Sequence, residues 1–121
     1  MKSKPNAVGQ RNLMELVPVR TIEWEVHQET GLVHLKRLKF RSPLLKKLIL
    51  PIFSEPYFKI KLDEVGTFVW LEIDGRKTTG MIADAAREKF GQRVHPVYER
   101  LGKFIRSLKQ SRFIDFRDEA L

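Results

Sequence analysis

Between Tyr57 and Ile73 the hydrophobic period changes once, and that change limits the folds open to the chain. Tyr57 to Leu62 alternates, with Phe58, Ile60 and Leu62 on one side and Lys59 and Lys61 on the other. That is the period of a half-buried strand. After Asp63 the apolar residues fall at Val65, Phe68, Val69 and Ile73, the spacing of an amphipathic helix. A strand that turns straight into a helix points to a mixed α+β domain. The acidic pair at the corner, Asp63 and Glu64, suits a helix start, where carboxylates accept from free N–H groups and complement the helix dipole. A catalytic pair would need a pocket that drives the two pKa values apart, so the pair is read as a cap.

Upstream, Ile22, Trp24 and Val26 alternate with Glu23, Glu25 and His27, which predicts a strand. Gln28 to Gly31 supplies a turn with glycine available for positive φ. Leu32 to Phe40 returns as a second strand, and its alternation slips near Lys36-Arg37-Leu38, predicting a bulge or a change of partner. Asn12 to Val17 holds one or two helical turns, capped by Asn12 and stopped by Pro18. Ser42-Pro43 opens a short amphipathic helix that Pro51 ends.

Downstream, three helices are predicted. The first runs from Glu64 to Ile73 and stops at Asp74-Gly75. The second starts after Thr78 or Thr79, buries Ile82, Ala85, Ala86 and Phe90, and stops at Gly91. The third begins near Pro96, taken as its first helical position, and carries Val97, Leu101, Phe104, Ile105 and Leu108 at helical spacing. Arg112 to Phe116 is a last extended segment. The expected order is three strands, three helices and a short last strand, an α+β arrangement. Residues 1–20 are expected to form an N-terminal extension, and 21–121 a single domain with a basic amphipathic insert at 42–56.

At 121 residues the chain suits one domain that buries roughly two thirds of its unfolded surface. It has no cysteine, which excludes disulfides, thiolate metal sites and a cysteine nucleophile. His27, His34 and His95 lack metal-ligand spacing and are read as surface or strand-edge residues. No phosphate-cradling glycine loop and no G-x-S-x-G occurs. No apolar run is long enough to span a bilayer, and the expected location is cytoplasmic. No cofactor, metal or catalytic residue is expected, which leaves a binding module rather than an enzyme.

A net charge of +8 permits nucleic acid, an anionic surface or an acidic peptide as partner. Two surfaces stand out. Tyr57 to Leu62, if it is a sheet edge, can take an added peptide strand, with Lys59 and Lys61 guarding the edge or attracting an acidic peptide. On the third helix, Tyr98, Gly102, Ile105 and Lys109 flank the core stripe, and Tyr98 and Ile105 widen its apolar face. Gly102 either leaves room for another backbone or packs under an element of the same domain. Arg100, Lys103, Arg106 and Lys109 on that helix favour a winged-helix nucleic-acid reading, the second choice. Asp115, Asp118 and Glu119 are acidic for a wing and count against it.

The segment KIKLDEVGTFVWLEIDGRKTTGMIADAAREKFG resembles the coenzyme PQQ synthesis protein D (PqqD) family. The resemblance rests on Leu62-Asp63-Glu64, Gly66, Trp70, Asp74-Gly75 and Thr78 and runs from about Tyr57 to Phe116. It implies a small α+β, winged-helix-like fold, a three-stranded antiparallel sheet followed by a three-helix bundle, and a RiPP precursor-peptide recognition element, a non-catalytic module. Such a module binds the leader of a ribosomally made precursor peptide by strand addition and presents it to a maturation enzyme, often a radical S-adenosylmethionine enzyme. Carried onto this sequence, the peptide-binding set is Phe58, Lys59, Ile60 and Lys61 on the strand. Tyr98, Leu101, Gly102, Ile105 and Lys109 complete it on the helix. The N-terminal extension, the 42–56 insert and Met81, where relatives carry an acidic residue, depart from the family's compact form.

Overall fold

The computed structural model describes residues 12–38 and 57–117. The expected arm at 1–11, the insert at 42–56, the strand end at Lys39-Phe40, and Asp118 and Glu119 lie outside the described residues. In chain order the elements are a 3-10 turn (Leu13–Glu15), β1 (Pro18–Arg20), β2 (Glu23–Val26), β3 (Val33–Leu38) and β4 (Tyr57–Lys61). These are followed by α1 (Glu64–Glu72), α2 (Thr79–Phe90), a second 3-10 turn (Gly91–Val94), α3 (Val97–Gln110) and β5 (Ile114–Phe116). The fold is α+β, a three-stranded antiparallel sheet followed by three helices. The contacts divide it into two compact units, Ile22–Glu64 and Met1–Thr21 with Val65–Leu121.

The first unit is the sheet β2-β3-β4. Gly31 takes φ 75° in the hairpin turn, and the His27 N–H donates to the Leu32 carbonyl at 2.8 Å. No bulge interrupts β3. It pairs with β2 from Val33 to Lys36 and with β4 from His34 to Leu38. The slip in the sequence pattern is therefore the change of partner, because among the described strands only β4 lies alongside beyond Lys36. Trp24, Leu35 and Ile60 stand abreast on one face, and Glu25, His34 and Lys61 on the other.

The second unit gathers the helices with the N-terminal residues. Trp70, Ile73, Ile82 and Ile105 are almost wholly buried in it. Thr78 caps α2, its hydroxyl accepting from the Met81 N–H at 3.1 Å. Pro96 is the N-cap of α3 rather than its first helical residue. β1 and β5 form a second, two-stranded antiparallel sheet, Pro18 opposite Phe116 and Arg20 opposite Ile114. Residues 12–20, expected as an extension, thus include a strand and a turn that pack in this unit.

Candidate functional site

β4 stands at the end of the order β2-β3-β4, and its register determines which backbone groups face outward. The Leu62 N–H donates to the Val33 carbonyl at 2.9 Å, so Leu62 and Val33 are a hydrogen-bonded pair. Such pairs alternate along an antiparallel ladder. Ile60 and Phe58 therefore exchange bonds with Leu35 and Arg37, while the N–H and C=O groups of Lys59 and Lys61 point away from β3. Among the side chains, Phe58 and Lys61 are exposed and Ile60 is half-buried. Lys59 leans over the sheet, with its ammonium 3.7 Å from Glu25. Glu25 also holds Lys36 at 3.0 Å, and the Lys36 hydrogen bond keeps its carboxyl below the usual range.

Across the same face His27 and His34 stack, ring centroids 5.0 Å apart. His34 is buried, and its Nδ1 has no hydrogen-bond partner among the described residues. That corrects the reading of His34 as a surface or strand-edge residue. Cross-strand stacking brings the two rings together, as residues on one face of a hairpin do. Among the described residues no group of three or more metal-ligating side chains forms a cluster.

The helix residues named from the sequence separate into two sets. Leu101 and Ile105 are buried and belong to the core stripe of α3; Ile105, at 0% exposure, does not widen an exposed face. Tyr98, Gly102 and Lys109 line a groove of about 530 Å³ beside the N-terminal turn, together with Leu13, Met14, Arg106 and Phe116. The Tyr98 hydroxyl donates to the Asp84 carboxylate, which raises the phenol pKa, while 43% of the residue stays exposed. Lys109 pairs with Asp115 at 2.9 Å, and that contact holds the Asp115 carboxyl below its usual range.

Sequence periodicity missed the opposite wall of this groove, Leu13 and Met14, because a single 3-10 turn carries no repeat. The only signal was the Asn12 cap, and the Asn12 side chain does accept from the Met14 N–H at 2.9 Å. Gly102 packs under this turn: a Cβ there would stand 3.6 Å from Leu13 Cδ2. Of the two readings of Gly102, packing within the same unit is the one observed. Two of the four cations offered for reading a DNA groove are engaged within the chain. Lys109 holds Asp115, and Arg100 donates to the Arg93 carbonyl at 2.6 Å.

The residues that carried the family resemblance have identifiable structural roles. Trp70 is fully buried, and Leu62 and Gly66 are buried. Asp74 accepts from the Arg76 and Lys77 N–H groups at 2.8 and 2.9 Å, Gly75 takes φ 79°, and Thr78 caps α2. Residues 55–114 match the family model described as Coenzyme PQQ synthesis protein D (PqqD). That stretch is just under half of the chain. No curated protein matches, and no solved structure matches. No helix among the described residues is long and apolar enough to cross a membrane.

Proposed function

We propose that this chain is a non-catalytic peptide-binding module that takes the leader of a ribosomally made precursor peptide as an added strand on β4 and presents it to a maturation enzyme. The observation that carries the reading is the position of β4. It falls at the start of the stretch that matches the PqqD model, and among the described residues it is the terminal strand of an antiparallel sheet. Lys61 turns its backbone N–H and C=O away from β3, in the direction an incoming strand pairs. Backbone pairing supplies affinity in such an addition, and side chains on alternate positions supply selectivity. The exposed Lys61 ammonium favours an acidic leader. The partner enzyme is of the radical S-adenosylmethionine class, as the family resemblance implies.

The test is a titration of the labelled protein with the peptide encoded by a small open reading frame beside its gene. Strand addition shifts the amide signals of Ile60 and Lys61 together. A peptide that binds while leaving both unmoved excludes β4 as the docking strand. The helix residues Tyr98, Gly102 and Lys109 are followed separately in the same spectra.

A further inference from the structure

We infer that the stacked rings of His27 and His34 form an acid-sensitive latch of the β2-β3-β4 sheet, closed while His34 is neutral and opened locally when it takes up a proton. The two rings meet across the hairpin with centroids 5.0 Å apart and planes inclined by 28°. The Thr30 hydroxyl, 3.3 Å from His27 Nδ1, anchors one ring at the turn. His34 sits on the central strand, opposite Glu25 of β2 and Lys61 of β4. It is 6% exposed, and its Nδ1 has no hydrogen-bond partner among the described residues. An imidazolium carries a proton on both ring nitrogens. A charged His34 therefore buries an N–H at Nδ1 that no acceptor receives, and a buried charge that is not compensated is costly.

The charged groups around the pair add to that cost. Among the described strands the same face carries Glu23 and Glu25 of β2, Lys36 of β3, and Lys59 and Lys61 of β4. Glu25, the carboxylate in register with His34, is held by Lys36 at 3.0 Å and by Lys59 at 3.7 Å. A proton on His34 thus adds a charge beside the His27 ring and the Lys61 ammonium, while the carboxylate opposite is already shared by two lysines. Burial first, then His27 and Lys61, hold the His34 pKa below 6.5. The open chain binds that proton more tightly than the sheet does, so the open form gains as pH falls below 6.5. The three strands fall in a compact unit of their own, Ile22–Glu64, and units of this kind open separately. The pH thereby sets how firmly β4 is held in the sheet, whether or not a peptide adds to it.

The test is amide exchange of the full chain from about pH 7.5 to about pH 5.5, read as protection factors. Protection of Ile60, and of Leu62, whose N–H donates to the Val33 carbonyl, is expected to fall below pH 6.5 by up to about tenfold per pH unit. Ile105 and Leu108 in α3 are expected to keep theirs. His34→Phe retains a flat ring for the stack but has no proton to gain, and its sheet protection should stay level over the same range. Sheet protection in the parent that does not change with pH overturns the inference, and this series decides the matter even if the variant does not fold. An equal loss at Ile105 and Leu108 also overturns it, because the proton then acts on the whole chain. So does a response that survives His34→Phe, which assigns it to other groups. No peptide is present in this experiment, so either outcome leaves strand addition at β4 to its own test.

Discussion

Thr79 donates twice to one carbonyl: its backbone N–H and its hydroxyl reach the Leu16 oxygen at 2.9 and 3.2 Å. Thr79 and Leu16 are both fully buried. This contact fastens the N-terminal segment to the first turn of α2, and with it the turn that forms one wall of the α3 groove. Thr79→Val keeps the shape and the backbone bond and removes the hydroxyl donor. It should cost about 1 kcal/mol in denaturant unfolding. It should also broaden the Leu13 and Met14 signals more than those of the β2–β4 sheet.

Gly75 is a different case. Its φ of 79° is a conformation L side chains rarely adopt, and a Cβ there would meet Val19 Cγ1 at 3.2 Å. Gly75→Ala adds a left-handed backbone penalty of about 1–2 kcal/mol, and Val19 of β1 must give way as well. A clear loss in melting temperature is expected, and an unchanged one would contradict the assigned turn.

Gly102 runs the other way. It sits inside α3 at an ordinary helical φ, and a Cβ would make only van der Waals contacts, the nearest at 3.6 Å. Gly102→Ala should therefore stabilise the protein, by about 0.5–1 kcal/mol from helix propensity. A lowered melting temperature would mean that Leu13 packs on Gly102 too closely to admit a methyl.

Two groups give pH dependences of known sign. Burial, then the neighbouring charges of His27 and Lys61, lowers the His34 pKa from 6.5. The folded sheet favours the neutral ring, so this contribution is fully present above 6.5 and is lost as pH falls through the lower folded value. An imidazole titration of His34 with a midpoint at or above 6.5 would contradict its burial. Asp74 is held below 3.8 by the Lys77 and Arg76 N–H groups. Its contribution is complete above the usual carboxylate range and is lost as pH falls through the lowered value. Asp74→Asn and the parent protein should therefore converge in stability only at strongly acidic pH.

How much of this was legible in the sequence depends on the length of each pattern. The alternation of Tyr57 to Leu62 and the helical spacing of Val97 to Leu108 each repeat several times, and β4 and α3 lie where those patterns place them. Thr78 and Gly91 mark the ends of α2 because caps have local chemistry. The pairing of β1 with β5 had no such signal. Each strand is three residues long, and Val19 and Asp115 meet across most of the chain. Burial of His34 also escaped notice, since alternation assigns it to the polar face with Glu25 and Lys61. On α3 the spacing separated stripe from flank but put Ile105 on the flank, whereas packing draws it fully inside.

The central claim, that β4 receives a peptide strand, is tested most directly by hydrogen exchange at one amide. The Lys61 N–H points away from β3 in this register. Added leader peptide should slow its exchange, while the Ile60 N–H, already paired within the sheet, changes little. Slowed exchange at Lys61 is the predicted result. Saturating leader peptide that leaves Lys61 exchange unchanged would contradict strand addition.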